Sequence, residues 1–385
     1  MSDYLPDELV FNILSRLPSE SLLRCRSVCR SWRSLISSNN FKLAHLKTFN
    51  LSNPRNFIRS FDLLSDKEVY SVHFNDEALT MVPDTLVESP FRYCNYCTKN
   101  YLRVMGCVNG VMCLFHGNCE SDEDKIILWN PSIRRHLIIT AAMFHLSHVQ
   151  YLCLIYGFGY DKTSDDFKVV RLAYKCRSAP QVEVHSVKNG ISRVVRPHHD
   201  MPSYPMFLDS WSQLFFNGCV HWVACDYAIG GSDASIMTFD VSTELFGKIE
   251  LPKYLVKKHA SFLKLSVVSG CLTVTYSRRP SFAFPGPSGY IISSMIEYKN
   301  TASWTLIYDA QFSYDLGRVL HLRDDRGILM GSVCGELKFY EYNVGYFFNL
   351  YSRFVVEDSI YIGEYKESLA LLDEGNAKSD IEQDK

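Results

Sequence analysis

The sequence has no excess of either charge and no apolar run long enough to cross a membrane. It holds 40 basic and 42 acidic side chains among 385 residues, and this net charge of −2 gives no basic footprint for nucleic acid. The apolar stretch YLCLIYGFGY at 151–160 is shorter than the roughly 20 residues that a membrane helix needs. We therefore expect neither nucleic acid nor a membrane as a partner.

A secretory signal is also missing from the first residues. The opening MSDYLPDEL lacks a basic stretch followed by an apolar one. The 13 cysteines form an odd number, and without a secretory route they indicate reduced thiols rather than a disulfide framework. These features predict a location in the cytoplasm, the nucleus or both.

Helical periodicity is almost absent beyond the first 50 residues, where short strands and polar turns take over. Because 385 residues exceed the usual single core, we expect two domains, a helical one at 1–50 and a β-rich one at 51–365. The stretch 366–385 is acidic and poor in aromatic side chains, so most of it is predicted to be disordered. The expected class is an α+β multidomain protein.

Two Leu-Pro steps, at 5–6 and 17–18, each open a short amphipathic helix. Proline suits the first turn of a helix, where its missing N–H costs nothing, and Asp7 and Glu8 favour the positive end of the helix dipole. Apolar residues then recur with a 3.6-residue period, and a third stripe ends near Trp32. So short a segment cannot bury this much apolar surface within itself. It is therefore either a small subdomain folded onto the rest of the chain or a docking surface for another protein.

The stretch LPDELVFNILSRLPSESLLRCRSVCRSWRSLI at 5–36 closely resembles the F-box at many fixed positions. The resemblance implies binding to a Skp-type adaptor, which links to a cullin scaffold and a RING-bound ubiquitin-conjugating enzyme. Carried over residue by residue, it assigns adaptor binding to Leu5, Pro6, Leu9, Ile13, Leu14, Leu17, Pro18, Leu22, Leu23, Val28, Cys29 and Trp32. Some of these side chains would pack internally instead, and the sequence does not separate the two roles.

The β-rich region carries a weak internal repeat of about 50 residues. One element is a strand, a polar turn and a second strand, found at 127–139, 182–195, 236–251, 295–308 and 337–350. The other is a tight turn between strands at 108–114, 216–223 and 268–276, with a glycine that supplies the positive φ of a hairpin. Such units are typical of a mainly antiparallel, kelch-like β-propeller, here with about six or seven blades. A two-sheet β-sandwich is the alternative fold.

The same region resembles the F-box-associated domain of plant F-box proteins (type 1, kelch-like). The resemblance is most specific at WNPSIR (129–134) and at GFGYDKTSDDFKVVR (157–171). Together with the F-box it covers about 4–365. The chain departs from the usual pattern at 185–195, where no tryptophan follows the turn, so this blade is the least certain.

Motifs for catalysis or for a cofactor are weak. Cys94, Cys97, His116 and Cys119 have a spacing that could hold zinc, but the favoured interpretation is four thiol and imidazole groups in neighbouring loops. The Gly-Phe-Gly at 157–159 lacks the third glycine and the helix of a dinucleotide loop, so it is interpreted as a turn. We expect no cofactor, no metal and no catalytic residue.

Target recognition is expected in loops that a rigid scaffold presents, at 196–207, 226–235 and 278–290. In the third loop, Phe282, Phe284 and Tyr290 are candidate interface anchors, or they tuck back under the loop. The family resemblance thus implies a non-catalytic substrate receptor of a Skp–cullin–F-box ubiquitin ligase. The alternative is a ligand-binding or enzymatic propeller whose F-box serves only its own turnover.

Overall fold

The computed structural model describes the helical region almost completely and the β region except for several connections. The described residues are 5–62, 67–76, 79, 81–82, 87–88, 102–116, 125–140, 153–174, 180–196, 205–206, 213–226, 233–278, 288–312, 318–323, 327–331, 337–341, 346–351, 360–374 and 378–379. Among them, no helix is both long enough and apolar enough to cross a bilayer.

Four helices form the N-terminal region: α1 (Asp7–Leu14), α2 (Ser19–Cys25), α3 (Arg30–Ser37) and α4 (Asn39–Ser52). Pro6 and Pro18 stand directly before α1 and α2 with φ of −55° and −57°, the angles that pre-set a helix start. Side chains cap the other two helices, because Cys29 accepts from the N–H of Trp32 and Ser38 accepts from the N–H of Phe41. Both Leu-Pro steps therefore open helices, as predicted.

The β region begins at Arg55, two residues after the cap of α4. Its strands and one further helix, α5 (Lys253–Val256), are, in chain order, β1 (Arg55–Asp62), β2 (Lys67–Phe74), β3 (Val87–Glu88), β4 (Arg103–Val108), β5 (Val111–His116), β6 (Lys125–Asn130), β7 (Arg135–Thr140), β8 (Cys153–Asp161), β9 (Asp166–Tyr174), β10 (Gln181–Ser186), β11 (Ile191–Val195), β12 (Pro205–Met206), β13 (Leu214–Phe216), β14 (Cys219–Asp226), β15 (Ala234–Asp240), β16 (Phe246–Glu250), β17 (Leu263–Val268), β18 (Cys271–Ser277), β19 (Ser288–Met295), β20 (Trp304–Phe312), β21 (Arg318–Arg323), β22 (Gly327–Gly331), β23 (Leu337–Glu341), β24 (Tyr346–Tyr351), β25 (Tyr361–Tyr365) and β26 (Lys378–Ser379).

The described strands form six antiparallel sheets that contact one another in a closed ring. The sheet orders are β25-β1-β2-β3, β26-β7-β6-β5-β4, β11-β10-β9-β8, β12-β14-β15-β16 with β13 also on β14, β17-β18-β19-β20, and β21-β22-β23-β24. Around the ring, β4, β8, β14, β17, β21 and β25 each contact the next, and β25 returns to β4. This arrangement is a six-bladed β-propeller. Its first blade is closed by β25, which pairs with β1.

Six separate apolar cores lie between neighbouring blades, and this excludes the sandwich alternative, which has one core between two sheets. Trp129 and Trp222 are each at most 1% exposed within two of these cores. The predicted hairpins all form, including β10–β11 at 182–195, the segment that departs from the family pattern. The large aromatic content therefore fills the spaces between blades.

The glycine turns behave as expected at the start of three blades. Asn109-Gly110, Asn217-Gly218 and Ser269-Gly270 all have positive φ at both residues, the conformation of a two-residue hairpin. The interpretation of 157–159 as a turn is wrong, because Gly157 and Gly159 lie inside strand β8. A Cβ at Gly157 would come within 2.4 Å of the Trp222 ring, so glycine here permits close packing of two blades.

A polar network joins the third and fourth blades at the turn after β8. Asp161 accepts hydrogen bonds from Thr163, Ser164 and Ser242, the last at 2.6 Å from the neighbouring blade, and pairs with Lys168 at 2.9 Å. Burial raises the pKa of Asp161, but these hydrogen bonds outweigh it and hold the pKa well below its usual range. The network therefore depends on an ionised carboxylate.

Candidate adaptor-binding and target-binding surfaces

The twelve residues assigned to adaptor binding divide into exposed and buried groups. Leu5, Leu9, Ile13 and Val28 are large apolar side chains with between 49% and 65% of their surface exposed. Also exposed are Pro6, Pro18 and Cys29, whereas Leu17, Leu23 and Trp32 are half-buried. We call these exposed members the adaptor surface: Leu5, Pro6, Leu9, Ile13, Pro18, Val28 and Cys29.

Leu14 and Leu22 belong to the interior instead. Both are at most 2% exposed and pack with Ile36 and Phe41 in the core of the helical region. His45 on α4 supports this core, since its ring Nε2–H donates to the carbonyl oxygen of Leu17 at 2.9 Å. Burial lowers the pKa of His45 and so favours the neutral ring that this contact uses. The sequence could not separate packing from contact, and the structure assigns these two leucines to packing.

The core of the helical region is completed by a segment from the other end of the chain. Leu369 and Leu372 are 1% and 5% exposed, and both pack with Leu14, Leu22 and the propeller residue Ile133. The expected disorder of 366–385 therefore does not hold for residues 366–374. We call residues 366–374 the clasp. Its leucines are buried because the four short helices cannot enclose their own apolar side chains.

Polar contacts of the clasp reinforce this packing. Glu367 pairs with Arg55 and accepts from the backbone N–H of Ser19 at 2.9 Å, at the start of α2. Its own backbone N–H and carbonyl are both bonded by the Asn50 side chain, at 2.8 and 2.9 Å. Asp373 pairs with Lys42 at 2.7 Å and with Arg26 at 2.9 Å. The clasp thus fixes the helical region to the propeller.

Cys29 is the exposed thiol of the adaptor surface. Its Sγ lies 3.1 Å from the Ser31 hydroxyl and 3.5 Å from the N–H of Trp32. Hydrogen bonding from Ser31 and from the Trp32 N–H lowers the pKa of Cys29. By contrast, burial raises the pKa of Cys107 to about 12. The adaptor surface therefore carries a more readily ionised thiol than the propeller core.

The helical region sits on one end of the propeller, which we call the near face. Ile133 of the β6–β7 turn packs into the helical core, and Asn39 of α4 donates to Asp165 in the β8–β9 turn. Because blade strands alternate in direction, the opposite ends of these strands lie on the other end, the far face. The strand ends at 226, 234, 278 and 288 belong to the far face, as do 196 and 205–206. All three predicted recognition loops therefore start and end on the side away from the adaptor surface.

Of the three predicted target anchors, Tyr290 alone lies among the described residues. Phe282 and Phe284 lie outside the described residues. Tyr290 lies in strand β19 and is 1% exposed, packed against Ile292, Val319 and Leu322 between the fifth and sixth blades. Tyr290 is thus a core residue rather than an exposed anchor, because the strand extends further towards the loop than the sequence indicated.

A cavity of about 540 Å³ runs along the inner strands of the ring. Its charged and titratable lining includes Arg103, Lys264 and His321, with Glu364 as the one carboxylate among its described lining residues. Burial lowers the pKa of His321 to about 4, and the positive charges of Lys264 and Arg323 add to this effect. The ring is therefore neutral near pH 7. The lining thus offers no pair of carboxylates for acid–base chemistry.

The described residues also contain no group of three or more His, Cys, Asp or Glu side chains that could hold a metal. Of the four zinc candidates, His116 ends strand β5, whereas Cys94, Cys97 and Cys119 lie outside the described residues.

Comparisons with known proteins match both the helical region and the propeller. A model of the F-box domain matches residues 3–44, and a model of the F-box associated beta propeller domain matches residues 60–328. The chain belongs to the F-box proteins with an F-box-associated β-propeller. Helices α1–α4 include its F-box, and an F-box implies binding to a Skp-type adaptor in general.

Similar proteins occur among the F-box proteins of a plant. An F-box/kelch-repeat protein of Arabidopsis thaliana is 27% identical over 332 residues, which is 85% of each chain. An F-box/LRR-repeat/kelch-repeat protein of the same plant is 26% identical over 310 residues, 80% of this chain and 77% of the relative. The predicted fold, a helical F-box followed by an antiparallel β-propeller, is confirmed, with six blades.

Proposed function

We propose that this F-box protein is the substrate receptor of a Skp–cullin–F-box ubiquitin ligase. The F-box binds the Skp-type adaptor and, through it, the cullin and RING subunits, while the propeller binds a target protein. The chain itself is non-catalytic and acts in the cytoplasm, the nucleus or both. The observation that carries the proposal is the adaptor surface, an exposed apolar patch on helices whose own core is already filled.

The physical reason lies in how this patch is exposed. Leu9 and Ile13 are four positions apart on α1, so they share one face, and Leu5 precedes that helix. The core beneath this face is already filled by residues such as Leu14. The exposed side chains therefore remain in solvent in the described part of the chain. Burying one such side chain in a partner is worth about 1.5–3 kcal/mol, and a contiguous apolar patch marks an interaction site.

The geometry also supports a receptor role. The adaptor surface lies on the F-box at the near face, and the strand ends of the predicted recognition loops lie at the far face. A target bound there would not compete with the adaptor for surface. Ubiquitin transfer then needs no nucleophile of this chain, because holding target lysines near the charged conjugating enzyme raises their effective concentration.

Adaptor binding by charge-substituted variants tests the proposal. The double variant Leu9→Asp/Ile13→Asp should lose co-purification with a Skp-type adaptor and keep the wild-type melting temperature. Leu43→Asp is the matched control, because Leu43 is a leucine on α4 that is 51% exposed and outside the adaptor surface. Full adaptor binding by the double variant would refute the proposal. Co-purification of cullin with the wild-type chain, under proteasome inhibition, tests the assembly of the complete ligase.

A further inference from the structure

Basic and aromatic side chains lie on the far face, along the connection from β16 to β17 and at the end of β18. We define the basic surface as Lys253, Tyr254, Lys257, Lys258, His259, Phe262, Tyr276 and Arg278. We propose that this surface binds an acidic segment of the target protein, an inference that rests on the receptor function proposed above. Lys257, Lys258 and His259 are adjacent along the chain, whereas Tyr276 and Arg278 join them only in the folded protein.

The connection that carries most of this surface is firmly anchored. It runs from the end of β16 to the start of β17 and contains α5, with Pro252 directly before the helix. Leu255 and Ala260 are 0% and 4% exposed in the core between the fourth and fifth blades. The polar side chains between these two anchors therefore project from a fixed backbone, which lowers the conformational entropy lost on binding a partner.

The rings of His259, Phe262 and Tyr276 pack against one another within the basic surface. The Lys258 ammonium lies 5.3 Å from the centroid of the Tyr276 ring, and the Phe262 and Tyr276 centroids are 6.5 Å apart. His259 and Phe262 follow at 5.3 Å. Tyr254 on α5 is 45% exposed, and its hydroxyl lies 2.8 Å from that of Ser293. Aromatic side chains are among the residues that most often anchor a protein interface.

The charges of this region favour an anionic partner. The basic surface holds four cationic side chains, whereas the whole chain has a net charge of −2. Lys257 pairs with Asp233 and Arg278 pairs with Asp309, but Lys253 and Lys258 have no carboxylate partner among the described residues. The Lys257 side chain is 74% exposed. An exposed ion pair of this kind contributes little to stability, so a bound carboxylate can replace it readily.

A protein segment fits these features better than nucleic acid does. Four cations on a weakly acidic chain are few for tracking a phosphate backbone. The mixture of ammonium groups and aromatic rings instead matches a peptide with Asp or Glu next to apolar side chains. The far-face position leaves the F-box free to hold the adaptor at the same time.

Peptide binding to the full chain in complex with its adaptor tests this inference. The probes are fluorescein-labelled Glu-Glu-Tyr-Glu-Glu-Leu-Glu and its counterpart with Lys in place of Glu. The acidic probe should bind and the basic one should not. Lys253→Glu/Lys258→Glu should weaken binding of the acidic probe by about tenfold or more, and added salt should weaken it in the wild type.

The control variant is Lys162→Glu/Lys188→Glu, which makes the same charge change at two exposed lysines in near-face turns. It should change the affinity by no more than about twofold. Equal weakening by both variants, equal binding of both probes, or tighter binding of a single-stranded RNA oligonucleotide would overturn the inference. Intact adaptor binding without any acidic-probe binding would overturn this inference alone, whereas failure of the wild-type chain to bind adaptor would overturn the receptor function.

Discussion

The Glu367 carboxylate accepts a hydrogen bond from the backbone N–H of Ser19 at 2.9 Å, across 348 positions of the chain. The same carboxylate pairs with Arg55, the first residue of the propeller. One side chain therefore caps a helix of the F-box and anchors the first blade. Because the helix start carries partial positive charge, a carboxylate is favoured there over a neutral side chain.

Glu367→Gln should destabilise the protein by about 3 kcal/mol, the low end for removing one partner of a buried ion pair. The low end applies because Arg55 and Glu367 keep 11% and 13% of their side chains exposed. Chemical denaturation of purified variants measures this effect. Glu364→Gln is the matched control, since Glu364 is 70% exposed and pairs only with the exposed Lys366 in the described structure. Equal stability of the two variants would show that the clasp does not depend on this carboxylate.

Leu372→Ala should destabilise the F-box by about 2–5 kcal/mol, the cost of truncating a buried leucine. Leu372 is 5% exposed and packs against the F-box core, so adaptor binding should weaken although the residue lies outside the adaptor surface. Limited proteolysis of α1–α4, together with adaptor titration, measures both effects. A variant with normal protease resistance and normal adaptor affinity would contradict this role of the clasp.

Asp161→Asn should destabilise the protein by about 2–3 kcal/mol at pH 7. The gap in unfolding free energy between the wild type and the variant should narrow as the pH falls. The folded pKa of Asp161 lies below the value of about 3.9 of an unfolded chain, so its stabilisation is complete above about pH 5 and declines below about pH 4. Thermal unfolding of both proteins across this range measures the gap. A gap that stays constant from pH 7 to low pH would show that ionisation of Asp161 does not stabilise the fold.

Iodoacetamide near neutral pH should modify Cys29 faster than the propeller thiols, the partly buried Cys107 and the buried Cys113. Cys29 is exposed and its pKa is lowered, whereas burial raises the pKa of both core thiols. Ser31→Ala should slow the modification by removing a hydrogen bond to the thiolate. Mass spectrometry of the labelled sites gives the rates. Bound adaptor should protect Cys29, and unchanged labelling in the complex would remove Cys29 from the adaptor surface.

Local patterns in the sequence predicted much of this architecture. The Leu-Pro steps predicted the helix starts because proline acts on its own φ, and Asn109-Gly110 predicted a hairpin because the turn depends on two adjacent residues. The repeated hairpins likewise indicated a propeller, because each one is a local unit. The sequence period could not tell which of the adaptor residues are exposed. Leu9 and Leu14 are both apolar, and only the folded structure shows that Leu9 is exposed and Leu14 is buried.

The sequence did not predict features that depend on residues far apart along the chain. The leucines of the clasp lie in an acidic stretch that is typical of disorder, and their burial depends on α1–α4, more than 300 residues earlier. Tyr290 looked like a loop aromatic because the sequence does not mark where β19 begins. The basic surface combines residues from α5, from its following turn and from the end of β18 with Arg278 after it, and the pairing of β17 with β18 brings them together.

The clasp also has a consequence for synthesis of the protein. Blade one closes only when β25 pairs with β1, and the F-box core fills only when Leu369 and Leu372 arrive. A ribosome must therefore translate past residue 372 before the first 50 residues reach their final packing. Chains that terminate early would present an F-box with an open core, so the F-box completes its packing only after the propeller has been made.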